Sequence, residues 1–451
     1  MTGLLRILAP SALAVALLAG PPAASGTPDP VGATATLCAG IFGSTFGTPS
    51  AEPLAPCQWD MALIGASTGG SYATATGRGV TVGVIDSGID PAHPDVVANL
   101  DLARSCSFIN LTTPTADPDE VANGDCSLKA AVQDFNGHGT HVASTIAAPR
   151  NGVGIAGVAP DATIVALKAC TVVGYCFGDS VAAALRWAAD HRVDVVNLSL
   201  FVDPWYLNCA NDAVQRAALK QLADAVAYAQ QRGVTVVAAA GNESDDLQHP
   251  TVDELSPDWP PGAAAPRRVG NYCRVAPVEL PGVLGVSATG PVGYPGYGLW
   301  LASYSNVGMT TVDVGAPGGD YFAASGTVQD GITAAWTSTD RNGLWDVYAD
   351  LTDVFPGLAI EGAGGARWIV VTGTSMASPH ATGVAALVIE RHPSWSPGAV
   401  AAAVERTATP LGCPPAWLPQ APDDPRRCTG GVGHTSFFGH GLVNAAAAAE
   451  S

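Results

Sequence analysis

Charge is what this chain lacks most. Asp, Glu, Lys and Arg make up 13% of its 451 residues, about half the usual share of ~25%. Basic residues are the scarcer kind: 20 Lys and Arg stand against 39 Asp and Glu, for a net charge of −19. They are scattered singly, and the densest runs are the pairs Arg267-Arg268 and Arg426-Arg427. Such a chain offers no basic face to a phosphate backbone, so a nucleic-acid partner is excluded. Long apolar runs are missing too. The helix-like stretch Ala381 to Ile389 falls far short of the ~20 residues that span a bilayer, and the last residues, Glu450-Ser451, are polar, so no membrane anchor is expected. No two cysteines have CxxC spacing and no histidines gather round them, which removes the usual structural zinc site.

Apolar residues are 47% of the chain, close to average, so it buries a sizeable core instead of remaining disordered. With 52 Gly and 35 Pro it is rich in turns and loops, which argues against a coiled coil or helical bundle. Residues 1–25 carry Arg6, an apolar run from Ile7 to Gly20, then Ala23, Ala24 and Ser25. That is the layout of a secretory signal peptide, and Pro10 breaks the run, so export to an extracellular location is expected. Ten cysteines in an exported chain imply disulfides. Their positions fall into local couples: Cys38 with Cys57, Cys106 with Cys126, Cys170 with Cys176, Cys209 with Cys273, and Cys413 with Cys428.

From residue 79 onward, β-branched runs alternate with Ala-rich helical stretches. The runs Val80 to Ile85, Thr163 to Leu167, Asp194 to Leu198 and Val234 to Ala239 predict strands, while Ser180 to His191 and Asp212 to Arg232 predict helices, the second stopped by Gly233. Strand, helix, strand in alternation predicts an α/β fold: a doubly wound, mainly parallel sheet with helices on both faces. The strands are nearly continuously apolar, as burial on both faces requires. Two stretches without periodicity, Glu243 to Arg274 and Tyr321 to Arg367, are predicted to be long surface loops. Ligands of such sheets sit at the carboxyl ends of the strands.

The residues just past those ends carry chemistry. Asp86 follows the first strand and Asn242 the fourth; Asn136-Gly137-His138-Gly139-Thr140-His141 comes between them, and Gly373-Thr374-Ser375-Met376-Ala377-Ser378-Pro379-His380 comes late. Each alone is weak, because an Asp in a turn or a Ser before a helix is commonly a cap. Together they supply every part of acyl transfer. A neutral Ser needs a base that titrates near neutrality, which His offers. The His needs a carboxylate to hold its tautomer, and an Asn amide can receive the oxyanion. Ser375 sits where the predicted helix Met376 to Glu390 begins, with Pro379 expected in its first turn. The Gly-x-Ser-x-Gly elbow of esterases is absent, since Ala377 stands two past Ser375.

These stretches resemble the subtilases, the subtilisin-like serine peptidases. Val84-Ile85-Asp86-Ser87-Gly88-Ile89-Asp90, His138-Gly139-Thr140-His141-Val142-Ala143, Ala239-Ala240-Gly241-Asn242-Glu243 and Gly373 through His380 are similar to four family blocks in family order. The likeness continues through Tyr304-Ser305-Asn306-Val307-Gly308 and Gly439-His440-Gly441-Leu442-Val443-Asn444. It implies a subtilisin-like peptidase domain over 57–451, a secreted serine endopeptidase with Ser375 as nucleophile, His138 as general base and Asp86 as its orienting carboxylate. Asn242 and the Ser375 N–H would form the oxyanion hole. Protein or peptide is the implied substrate, a monomer is expected, and the chemistry requires no redox cofactor or catalytic metal. The alternative is a catalytically silent relative that binds peptides or a partner. His141 and His380 are read as structural, Asp90 and Asp134 as loop and turn residues, and His93, His434 and His440 have no partner legible in the sequence.

The chain departs from the family in several places. Ser199-Leu200-Phe201-Val202 stands where two glycines usually follow Ser-Leu, so Ser199, Leu200 and Phe201 are expected to line substrate and, with Val202, to narrow the acyl-side subsites. The Cys170 to Cys176 loop, with Tyr175 and Phe177, lies near the expected substrate-pairing edge, and either shapes its rim or pins a turn. Residues 26–56 are a short N-terminal extension or pro-segment, too short for an independent domain. The resemblance also implies a structural calcium site at Asp95 and the loop Asn151-Gly152-Val153-Gly154, although the oxygen-rich set calcium requires is only partly present.

Overall fold

In the computed structural model, residues 29–292, 299–321, 327–414 and 426–451 are described; the expected signal peptide lies outside them. The four β-branched runs form the strands Thr81–Asp86, Thr163–Lys168, Val195–Leu198 and Thr235–Ala239. Thr81–Asp86 lies between Thr163–Lys168 and Val195–Leu198 and runs parallel to both. Thr235–Ala239 and then Leu284–Val292 extend the sheet on one side, and Cys106–Ser107 on the other. Val314–Pro317 also pairs in parallel with Leu284–Val292, whereas Leu299–Leu301 is antiparallel to it.

Alternation along these strands divides the core in two. Val82, Val84, Ile164, Ala166 and Val195 face the helices His138–Ala147 and Thr374–Arg391. Ile85, Val165, Leu167, Val196 and Ala238 face Gly178–Asp190 and Ala213–Gln231. The fold is therefore the expected doubly wound α/β sheet. Ala213–Gln231 begins at Asp212, whose carboxylate accepts from the Val214 and Gln215 N–H groups. It gives way to Gly233, whose φ of +94° only glycine adopts readily.

Tyr321 to Arg367 is not the expected surface loop. Ile332–Trp336 is a fully buried strand, paired antiparallel with Arg367–Val371, which in turn pairs with Ala359–Glu361. Leu344–Leu351 adds a helix. Ile332-Thr333-Ala334-Ala335-Trp336 is apolar enough to be a strand, but five residues buried on both sides leave no alternation to read. This small sheet lies along the His138–Ala147 helix: the Ala335 N–H donates to Ser144 Oγ at 3.0 Å, and His141 Nε2 meets the Ile332 carbonyl at 3.1 Å. Glu243 to Arg274 stays largely irregular, with a two-residue pairing of Val252–Asp253 with Arg267–Arg268 and, at its end, the strand Cys273–Val275 paired antiparallel with Leu207–Cys209.

All five expected disulfides form. Before residue 57 the chain forms the helix Pro30–Phe42. Cys38, Phe42 and Leu54 pack into the same core as the His138 helix. Among the described residues no helix is long and apolar enough to cross a membrane.

Candidate active site

Asp86 ends its strand and His138 opens its helix, so one lies at the carboxyl edge of the sheet and the other at a helix N-terminus beside it. Asp86 Oδ1 meets His138 Nδ1 at 2.8 Å and also accepts the Ser87 N–H at 2.7 Å. Burial disfavours the imidazolium of His138. The charge and hydrogen bond of Asp86, with the charge of Asp134, outweigh it and raise the pKa above 6.5. Asp134 is a turn residue, as expected, and an elaborate one: it accepts the N–H groups of Asn136, Gly137 and Thr140 and the hydroxyls of Ser87 and Thr140. It thus fixes both the loop entering the His138 helix and the turn after Asp86. Asp90 likewise accepts from Ala92 and Ser338.

Ser375 is the second residue of Thr374–Arg391. Its Oγ donates to the Ser199 carbonyl at 3.2 Å and makes no hydrogen bond to His138, although both side chains line one cleft. Resting hydroxyls of this kind commonly realign when substrate arrives. Pro379 is the sixth helical residue, beyond the first turn where it was expected. Lacking an N–H, it leaves the Ser375 carbonyl without its helical donor. Ser199 Oγ supplies the replacement at 2.7 Å. Ser199 is oriented in turn by Asn197 Nδ2 at 2.9 Å, and Asn197 Oδ1 accepts from Ser378 and Thr382. Sequence reasoning missed Asn197; its signal was an amide inside the apolar strand Val195–Leu198, where a buried polar group must be satisfied.

Asn242 lies just past Thr235–Ala239. Its Oδ1 accepts the Thr374 N–H at 2.9 Å and the Thr374 hydroxyl at 2.8 Å. That fixes the amide orientation and leaves the two Nδ2 donors for the cleft beside Ser375. Glu243 is pushed up to about 7 by burial, with its Oε2 accepting from Asn306 Nδ2 at 2.8 Å.

The cleft holds about 110 Å³, and Ser199, Leu200 and Phe201 are among the residues that line it. Val202 does not join them. It is buried in the core cluster behind the cleft, with its N–H bonded to the Ala276 carbonyl. The disulfide loop both shapes the rim and pins a turn: Cys170, Tyr175 and Cys176 line the cleft, and Phe177 stacks behind Tyr175 at 6.0 Å. Asp203, Glu243 and Asp258 give the cleft an acidic lining.

At the expected calcium site, Asp95 Oδ2 is taken by protein donors, the Trp368 indole N–H at 2.6 Å and the Ile155 N–H at 3.1 Å, where a metal needs oxygens, while its Oδ1 is buried without a partner. Burial pushes Asp95 up to about 8, which favours its neutral acid form. Asn151 Oδ1 is turned onto the Val153 N–H of its own loop. Among the described residues, no group of three or more His, Cys, Asp or Glu is arranged to hold a metal ion.

The other five histidines singled out in the sequence are held by protein neighbours. Burial lowers His141 to about 3 and His93 to about 4. His93 Nε2 meets the Arg367 carbonyl and its Nδ1 accepts the Asp95 N–H. His380 is clasped between the Met376 carbonyl at 2.8 Å and Asp60 at 2.9 Å. His434 and His440 pack against each other, and His440 lies 3.6 Å from Glu405.

Such a sheet, with an Asp–His pair and a helix-borne serine at its carboxyl edge, defines a serine hydrolase of α/β architecture. Residues 77–441 match the Subtilase family, and the chain belongs to it: it is a subtilisin-like serine endopeptidase. It is 30% identical to Subtilisin Savinase of Lederbergia lenta over 374 residues, 83% of this chain and 91% of that one. To M-protease of Shouchella clausii it is 30% identical over 83% of this chain and 65% of the other. Among solved structures, fervidolysin of Fervidobacterium pennivorans is similar with a TM-score of 0.57 and 25% identity, over 89% of this chain but 46% of its own. The epidermin leader peptide processing serine protease of Staphylococcus aureus shares the fold, with a TM-score of 0.60 and 22% identity over 89% of this chain and 81% of its own.

Proposed function

We propose that this protein is an exported, extracellular endopeptidase that cuts peptide bonds through an acyl-enzyme on Ser375, with restricted choice of acyl-side residues. His138 takes the Ser375 proton and returns it to the leaving amine, while Asp86 holds the Nδ1–H tautomer and stabilises the imidazolium. The carbonyl oxygen, negatively charged in the tetrahedral intermediate, is received by Asn242 Nδ2 and the Ser375 N–H. The observation that carries this reading is the convergence of Asp86, His138, Asn242 and Ser375 on one cleft, with Asp86 bonded to His138 at 2.8 Å. Leu200 and Phe201 on the wall of that cleft support restricted specificity, because side chains there fill space that substrate would use. Export is supported by the layout of residues 1–25 and by the five disulfides. The protein is proposed to act as a monomer.

Mass spectrometry of products from a proteome-derived peptide library tests both parts. The expected result is cleavage that Ser375→Ala abolishes, at a narrow set of acyl-side residues that broadens in Phe201→Gly. No cleavage by pure folded protein would refute the enzyme reading, and an unchanged profile in Phe201→Gly would refute the restriction.

A further inference from the structure

The small sheet that the sequence hid, with the helix Leu344–Leu351 beside it, borders the proposed chemistry. A separate enclosure of about 10 Å³ is bounded on one side by His138, Asn242 and Ser375 and on the other by Trp336, Leu344 and Tyr348. That space admits about one water molecule. The cleft beside Ser199 and Phe201 is some ten times roomier, at about 110 Å³.

The narrow wall is rigidly held. The Trp336 indole lies on Gly137, where an added Cβ would come within 2.1 Å of the ring. Its Nε1–H donates to Asp340 Oδ2 at 3.3 Å, and Asp340 also accepts the N–H groups of Asn342, Gly343 and Trp345. Asn342 Nδ2 ties this turn to the Asn136 carbonyl at 3.1 Å, two residues before His138. Trp336, Leu344 and Tyr348 are 1%, 4% and 4% exposed, so they have no free volume to retreat into.

Given the proposed roles of Ser375 and His138, on which this inference rests, the substrate's path is determined. The acyl part lies along the roomy cleft, and the amine must depart on the side from which His138 protonates it. We propose that Trp336, Leu344 and Tyr348 set the leaving-side specificity and admit only a small residue, Gly, Ala or Ser, immediately after the scissile bond. A branched or aromatic side chain at that position would have to displace packed neighbours, and misfits of a few methylenes cost 10-fold or more in kcat/KM.

The test uses internally quenched peptides differing only in that first leaving-side residue, Gly, Ala, Leu or Phe, alongside a methyl ester of the same acyl sequence. The full chain should cleave the Gly and Ala peptides at least ~10-fold better than Leu and Phe, and Leu344→Ala should bring the four within about threefold. The size preference falls if the wild type cleaves all four alike. The assigned wall falls if Leu344→Ala, still hydrolysing the methyl ester, keeps the wild-type ratio. Should Leu344→Ala not fold, partition of the wild-type acyl-enzyme between water, glycinamide and leucinamide reads the same side: capture by glycinamide alone supports the proposal, and equal capture overturns it. Failure to hydrolyse even the methyl ester would instead refute the acyl-enzyme reading, and this inference with it.

Discussion

At the scale of single residues, the site works through hydrogen bonds that orient other groups. Thr374 holds Asn242 by its amide oxygen with both its N–H and its hydroxyl. Thr374→Val removes one of the two and lets the amide turn. The oxyanion forms only in the transition state, so kcat should fall by about 10-fold with KM nearly unchanged, which steady-state kinetics on one peptide would show. In the proposed mechanism His138 carries the pH dependence. Its pKa is raised because Asp86 and Asp134 outweigh the cost of burial, and only the neutral ring accepts the Ser375 proton. kcat/KM should therefore climb with pH and reach half its maximum above pH 6.5; a flat profile from pH 5 to 9 would contradict the assigned base. That Asp86, His138, Asn242 and Ser375 belong together was legible in the sequence because the proposed chemistry requires those residue types in motifs, and the fold brings them to one cleft. Asn197 and Thr374 were not. Asn197 pairs with Ser378 and Thr382, 181 and 185 residues away, and Thr374 with Asn242, 132 residues away, and no local pattern marks a hydrogen bond of that span.

At the scale of elements, strands and helices announced themselves where periodicity and caps were strong, as in Ala213–Gln231 between Asp212 and Gly233. The short buried strands Ile332–Trp336 and Arg367–Val371 did not, because their identity comes from pairing with each other and packing on the His138 helix. The Asp95 loop makes the same point for ligands: a carboxylate and a Gly-rich loop suggested calcium, but Trp368, more than 200 residues on, brings a donor to the carboxylate. Trp368→Phe should lower stability by about 1–3 kcal/mol by removing one of the two donors to the buried Asp95 Oδ2, while a chelator leaves the melting temperature unchanged. Thermal unfolding of the two samples checks both; a melting point lowered by chelator would restore the cation. The loop closed by Cys170 and Cys176 should behave as part of the cleft. Changing both to Ser should cost roughly 2 kcal/mol of stability and raise KM more than it lowers kcat, because the loop lines the cleft and takes no part in the proposed chemistry.

For the molecule as a whole, scarcity of charge goes with a sheet covered on both faces, and the carboxylates that remain are often buried. Burial raises Asp313, Glu279 and Glu243 to about 7 and Asp245 to about 6. Between their ordinary values near 4 and these raised ones, the folded state keeps protons that the unfolded chain releases, so stability falls as pH rises through that window. Asp101, Asp161 and Asp253 are shifted down despite burial, through hydrogen bonds to neighbours that include arginines, so their contribution is lost as pH drops below about 4. The Ser375→Ala protein, which cannot digest itself, should accordingly melt at higher temperature at pH 5 than at pH 8, while activity runs the other way. The buried His93 and His141, lowered to about 4 and 3, pull the other way below pH 6.5; calorimetry at the two pH values decides this, and a reversed order of melting points would contradict the dominance of the carboxylates.

The account stands or falls on Ser375 as the nucleophile. Folded full-length protein is treated with a fluorophosphonate and the modified peptide is mapped by mass spectrometry. The predicted result is a single adduct on Ser375, absent in Ser375→Ala and much slower in His138→Ala. An unlabelled Ser375 in folded protein at pH 8, or an adduct elsewhere, would contradict it.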